Sequence, residues 1–205
     1  MREKEELNMT GWATVILAAG NSGRMGTDKA FLKYDHNHTF IEKIIEEHIL
    51  AGCQKIVIIS NEMNNNAIVE IAGNINDVTI EIVINNHPGF ERFYSIKLGI
   101  EANKMYGGCF IHNCDNPFPK AQMFNEMMNH LNENNFVIPV YKGMGGHPLL
   151  AGKRVMREII NEKENSCNFK LFLKKFEFEN FETNDDRILI NINTPEEYHK
   201  YFVHA

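Results

Sequence analysis

The sequence predicts one α/β domain: a three-layer α/β/α arrangement around a mostly parallel sheet. Three observations predict it. Short apolar runs alternate with amphipathic helical stretches along the whole chain. No Pro/Gly/Ser-rich linker and no internal repeat divides it. Its 205 residues suffice for one sizeable core. We assign residues 9–205 to this domain and residues 1–8 to a frayed, flexible tail.

The elements follow in order. Trp12–Leu17 is an apolar strand that runs into a glycine-containing loop. Thr39–Leu50 is a helix, with Thr39 as its N-cap and Phe40, Ile41, Ile44, Ile45 and Ile49 on one face. Lys55–Ser60 is a buried strand, Asn64–Ala72 a weaker helix, and Thr79–Ile84 the next strand. Arg92–Met105 reads as a helix, Cys109–Asn113 as a strand and Lys120–Leu131 as a helix. The Met123, Phe124, Met127 and Met128 stripe on that last helix reads as core packing. Phe136–Tyr141 is a strand, and Lys153–Ile160 and Asn168–Lys175 are helices. Arg187–Ile192 is expected as a late strand. Thr194–Phe202 closes the chain as a helix, with Thr194 as cap and Pro195 at its first position. The asparagine clusters, such as Asn64–Asn66, read as turns or surface.

Composition narrows the function. The net charge of -6 argues against binding nucleic acid or an anionic membrane, although a local cationic pocket remains compatible with it. No apolar run approaches the ~20 residues of a membrane span, and the charged start Met1–Thr10 does not resemble a secretory leader. Cys53, Cys109, Cys114 and Cys167 form no CxxC pair, so free thiols in a reduced cytoplasm are expected rather than a zinc site.

Ligands of parallel α/β sheets sit beyond the carboxyl ends of the strands. The loop after the first strand reads Leu17-Ala18-Ala19-Gly20-Asn21-Ser22-Gly23-Arg24-Met25-Gly26-Thr27-Asp28-Lys29. Glycines allow close backbone approach, successive N–H groups make an anion-binding concavity, and Arg24 and Lys29 add two cations. This set suits a polyphosphate. By glycine spacing alone, a plain βα turn with solvated charges fits as well. It is not a Walker A loop, because Met25 stands where the second glycine belongs. Nor is it the dinucleotide fingerprint, because the spacing is GxxGxxG.

The full string resembles the LAAG-x-S-x-R-M-G-x-x-K signature of nucleotidyltransferases with a glycosyltransferase-A-like, nucleotide-diphospho-sugar-transferase-like fold, and it meets every fixed position. It is most similar to the molybdenum-cofactor cytidylyltransferase and guanylyltransferase group, with matches from about Ala13 to about Tyr201. The resemblance implies that Leu17, Ala18, Ala19, Gly20 and Gly23 wrap a nucleotide and that Arg24 and Lys29 hold its phosphates.

Asp115 stands where the strand ending at Asn113 meets a loop, followed by Pro117. A carboxylate there suits Mg²⁺, which prefers oxygen and uses few protein ligands; an Asx-turn or cap is the structural alternative. The segment is similar to the D-x-P element that carries a metal-binding aspartate in this group. Ile190-Asn191-Ile192-Asn193-Thr194-Pro195-Glu196-Glu197 resembles D-[IV]-D-T-P-E-D, with Asn191 and Asn193 replacing both aspartates. The resemblance therefore implies Asp115 and Asn193 as Mg²⁺ ligands, with a neutral amide oxygen supplied by Asn193.

Residues 85–96 resemble N-P-x₄-G-x₃-S, which implies base contacts for Arg92 and Ser95; Ser95 is equally a helix-start hydroxyl. Gly146-His147-Pro148-Leu149-Leu150 resembles G-H-P-[VL]-L, which implies that His147 borders the acceptor, against a structural role. The implied reaction is Mg²⁺-dependent transfer of CMP from CTP to a phosphorylated small molecule of the molybdopterin type. Its product would serve an acceptor enzyme of the molybdenum-hydroxylase type. The rivals are a GTP-dependent guanylyltransferase, a cytidylyltransferase for a polyol or methylerythritol phosphate, and a non-catalytic nucleotide sensor. A plain dinucleotide-binding oxidoreductase is disfavoured by the glycine spacing.

Overall fold

The computed structural model describes residues 11–20 and 25–202. The expected tail at 1–8 lies outside these. The first half alternates strand and helix as expected: β1 (Trp12–Leu17), α1 (Phe40–Leu50), β2 (Lys55–Ser60), α2 (Asn65–Gly73), β3 (Thr79–Ile84), α3 (Glu91–Ala102) and β4 (Gly108–Asn113). Then follow α4 (Ala121–Met128), β5 (Asn135–Tyr141), β6 (Met144–Gly145), β7 (Leu149–Gly152), α5 (Lys153–Asn161), α6 (Phe169–Leu173), β8 (Glu177–Glu182) and α7 (Pro195–Tyr201). All eight strands share one mixed, mostly parallel sheet. β3, β2, β1 and β4 lie side by side and parallel. β7 joins β4 antiparallel, with Ile111 opposite Leu149 and Gly108 opposite Gly152. β5 pairs antiparallel with β7 and β6, and parallel with β8.

The period-2 alternation of β1, β2 and β4 divides the core between two faces. Ile16, Ile56, Ile58 and Phe110 face Ile41, Ile44 and Ile45 of α1, Ile68 of α2, and Phe124 and Met127 of α4. Ala13, Val15, Val57, Ile59, Cys109 and Ile111 face Phe93, Ile96 and Ile100 of α3, Val155 and Ile159 of α5, and Phe172 of α6. The expected Met and Phe stripe of α4 is thus core. Thr39 caps α1 in a capping box, its N–H donating to the Glu42 carboxylate at 2.7 Å.

At Gly99, α3 presses hard on β1. A Cβ there would stand 2.3 Å from Cγ1 of Val15. Helix propensity alone favours alanine over glycine by ~1 kcal/mol. Overpacking of a tight contact costs about 1–3 kcal/mol and outweighs it. Gly99→Ala is therefore expected to lower the urea unfolding midpoint; a raised midpoint would show that the contact yields freely.

Two expectations need correction. Arg187–Ile192 is not a strand. Residues Asp186–Leu189 form a 3₁₀ turn, because the Asp185 side chain accepts from the Arg187 N–H and starts a helical turn instead of a ladder. The strand in this part of the chain is β8, which buries Phe181 and adds a further parallel strand to β5. In addition, Asn64 stands in a turn, as expected, but not at the surface: it is buried, with 3% of its surface accessible.

Candidate active site

The candidate site lies at the carboxyl ends of β1 and β4. These strands run in register from Trp12 beside Gly108 to Leu17 beside Asn113. The Cys114 N–H then donates to the Leu17 carbonyl at 3.2 Å, which keeps the two following loops adjacent. A cleft of about 380 Å³ opens there, lined by Leu17, Ala19, Gly20, Lys29, Arg92, Ser95 and Asp115 of the expected residues. Asn85, Glu91, Asn113 and Cys114 line it too, although the sequence motifs assign none of them a role. Gly23 and Arg24 lie outside the described residues. Ala18 turns away from the cleft: its methyl is 1% exposed and packs in the core beside Ile16 and Ile58.

Both shoulders of the glycine-rich loop are pinned from the turn after β2. The Asn64 side-chain amide donates to the Ala18 carbonyl at 2.8 Å and to the Asp28 carboxylate at 2.7 Å. The other Asp28 oxygen accepts from the Ala30 N–H and caps the short 3₁₀ turn Lys29–Phe31. Gly26 takes φ +69°, a left-handed conformation suited to glycine, as the chain returns to this turn. Lys29 is thus launched from a capped, rigid base.

Its ammonium donates to Asn193 Oδ1 at 2.6 Å and stands 3.5 Å from Asp115 Oδ2. The backbone fixes this meeting. The Ile192 N–H donates to the Asp115 carbonyl at 2.8 Å. The Glu197 carboxylate accepts from the N–H groups of Asn193 and Thr194 at 2.6 and 3.0 Å, completing the capping box that starts α7. Asp115, Asn193 and Lys29, distant in sequence, therefore converge.

Burial pushes the Asp115 carboxyl above its ordinary range, while Lys29 and Arg92 pull it back. Burial, reinforced by the Arg92 cation, holds His147 neutral with a pKa of about 4. Arg92 lines the cleft, with its guanidinium 5.9 Å from the Phe169 ring centre, whereas His147 is not among the lining residues and is held by its backbone N–H, which donates to the Ile188 carbonyl at 3.0 Å. Ser95 is buried, and its hydroxyl accepts from the Asn85 side chain at 2.9 Å. Glu91, at the cleft wall, adopts φ 54°. A non-glycine residue in that region costs of order 1–3 kcal/mol and is held there by its surroundings.

The donor set fits a hard divalent cation. Asp115 Oδ1 is buried and has no hydrogen-bond partner among the described residues, and Asn193 adds a neutral oxygen. No trio of His, Cys, Asp and Glu among the described residues forms a metal cluster. A cation here would therefore depend on one carboxylate, the amide and oxygens of the substrates. Among the described residues, no helix is long and apolar enough to cross a membrane.

Comparison with known proteins gives the family and the fold. Residues 14–174 match the family model described as MobA-like NTP transferase domain. A molybdenum cofactor cytidylyltransferase of Escherichia coli strain K12 is 25% identical over 186 residues, 90% of this chain and 92% of that protein. A probable molybdenum cofactor guanylyltransferase of Clostridium perfringens strain SM101 is 30% identical over 199 residues, 91% of this chain and 93% of that protein. The crystal structure of Rv0371C of Mycobacterium tuberculosis H37Rv, in complex with manganese, superposes with a TM-score of 0.74 at 16% identity, covering 96% of this chain and all of that one.

Proposed function

This chain belongs to the family of MobA-like NTP transferase domains, and from that membership we propose that it moves CMP from CTP onto a phosphorylated acceptor of the molybdopterin type. As a family member it is a nucleotidyltransferase. The convergence of Lys29, Asp115 and Asn193 at the mouth of the cleft carries the rest of the proposal. It sets a cation, a carboxylate and a neutral amide oxygen beside an anion-binding loop.

In the reaction, a phosphate oxygen of the acceptor attacks the α-phosphorus of the triphosphate. A new P–O bond forms as the bond to the β-phosphate breaks, and pyrophosphate leaves with the electron pair. The nucleophile is already anionic at neutral pH, so no strong general base is needed. The protein's task is positioning and charge neutralisation. Lys29 and Arg24 bind the triphosphate and stabilise the charge that builds on the departing pyrophosphate. Leu17, Ala19 and Gly20 hold the nucleoside, with Arg92 and Ser95 as polar contacts. Neutral His147 contributes hydrogen bonding, not charge, on the acceptor side. Asp115 and Asn193 would hold Mg²⁺, which when bound reduces the repulsion between the two anionic reactants. The product would pass to an acceptor enzyme of the molybdenum-hydroxylase type.

The guanylyltransferase relatives favour one rival donor, GTP. A thermal-shift screen of the four NTPs, with and without Mg²⁺, separates the two. At ~100 times its dissociation constant, the correct nucleotide is expected to stabilise the fold by ~2.7 kcal/mol. A shift with CTP and Mg²⁺ supports the proposal, whereas a shift confined to GTP replaces CTP as the donor. Binding with no pyrophosphate release across phosphorylated acceptors would instead point to a nucleotide sensor, the reading that Asn191 and Asn193 leave open.

A further inference from the structure

We infer that Asn116 is a positioning residue: it sets the distance between Asp115 and Asn193 by clamping the 187–193 segment against the Asp115 turn. This inference rests on the metal reading of Asp115 and Asn193 given above.

Segment 187–193 lies outside every strand of the sheet. Its apolar anchors, Ile188 and Ile192, are 1% and 0% exposed. Such contacts hold a segment down but are not directional, so they fix its register along its own axis poorly. Hydrogen bonds do that. Asn116 is fully buried, and its side-chain amide donates to the Arg187 carbonyl at 3.0 Å and also to the Ile190 carbonyl. One side chain thus grips both sides of the bend that delivers Asn193.

Asn116 is itself held from beneath. Its own carbonyl is 2.8 Å from Nε2 of His112, which must donate there. His112 Nδ1 pairs with His48 Nε2 at 2.9 Å, and His48 Nδ1 with Thr14 Oγ1 at 3.0 Å. His48, His112 and Thr14 are all fully buried. A row of polar groups thus runs from the centre of the sheet to the turn that presents Asp115. No step of the proposed reaction uses it. At this end the row bears on the geometry of that turn.

Supporting groups behind a metal ligand typically change metal affinity by 10–100-fold when removed. Asn116→Ser is therefore expected to weaken Mn²⁺ binding, read by EPR titration of the full chain alone and with saturating CTP, by about 10-fold or more. His112→Gln, which acts one bond further back and keeps an N–H donor, is expected to weaken it less. It also serves as the second test should Asn116→Ser fail to fold. Gly99→Ala, remote from the site and also destabilising, controls for a general loss of stability and is expected to leave the Mn²⁺ dissociation constant unchanged.

Folded variants of Asn116 and His112 that bind Mn²⁺ as tightly as the unaltered chain overturn the inference. So does an equal weakening in Gly99→Ala. If the unaltered chain binds no Mn²⁺ either alone or with CTP, the metal reading itself fails, an outcome distinct from a failure of the clamp.

Discussion

Asp115→Asn is expected to lower Mg²⁺-dependent pyrophosphate release by about 10²–10³-fold, the scale seen when one preorganised electrostatic partner is lost. The substitution keeps the shape of the side chain and removes only its charge. Stability should not fall with it. Burial already disfavours the ionised carboxyl, so a neutral amide relieves that cost even though Lys29 loses the Asp115 carboxylate. The pairing of near-abolished turnover with an unchanged or raised urea midpoint is the diagnostic result. Normal turnover in this variant would mean that the charged oxygen at position 115 is not where the chemistry happens.

The second large effect is on stability against pH. His48 and His112 are fully buried; burial holds His112 at a pKa of about 4 and His48 well below the ordinary histidine value. Each is neutral in the folded chain at mild acidity, while its unfolded counterpart protonates near 6.5. The unfolded state therefore binds more protons, and stability falls as pH drops below ~6.5 toward the folded values. His147, held at about 4, adds a third such group, and the three are expected to remove about 3–4 kcal/mol between pH 7 and 5.5. The carboxyls of Asp35, Glu47 and Asp185, lowered in the fold, lose their contribution only below ~4.5, outside this window. Asp115, raised in the fold, acts in the opposite direction as it takes up a proton. Urea titrations at both pH values give the slope. A flat profile would mean that these imidazoles are open to solvent or already charged.

Much of this molecule is legible in its residue order. The β1-to-β4 half follows from period-2 and period-3.6 patterns, which report burial directly, and the glycine-rich string locates the cleft. What escaped has a common cause. Asn64, Asn116, His48 and His112 act through side-chain bonds to groups far away in sequence, and such bonds leave no periodic trace. An asparagine that braces a glycine-rich loop looks, in sequence, like an asparagine in any surface turn. The 187–192 stretch misled for a related reason. Its apolar residues are buried, but the Asp185 cap and the Asn116 clamp consume the backbone groups that a strand would have offered to a neighbour. β8 carries no period-2 apolar signal: Phe178 and Phe181 are three residues apart and fall on opposite faces, so its pairing with β5 leaves little mark on the sequence.

The reversed direction of β7 has a spatial consequence. Sheets of this class ordinarily furnish a site from strand exits alone, and each new exit requires a crossover. Because Leu149 lies opposite Ile111, β7 begins where β4 finishes. The hairpin leading into it, with His147, arrives at the rim by an entrance. Had β7 run the other way, that imidazole would sit on the far side of the sheet. One strand laid backwards thus lets a segment that enters the sheet and segments that leave it meet along a single border.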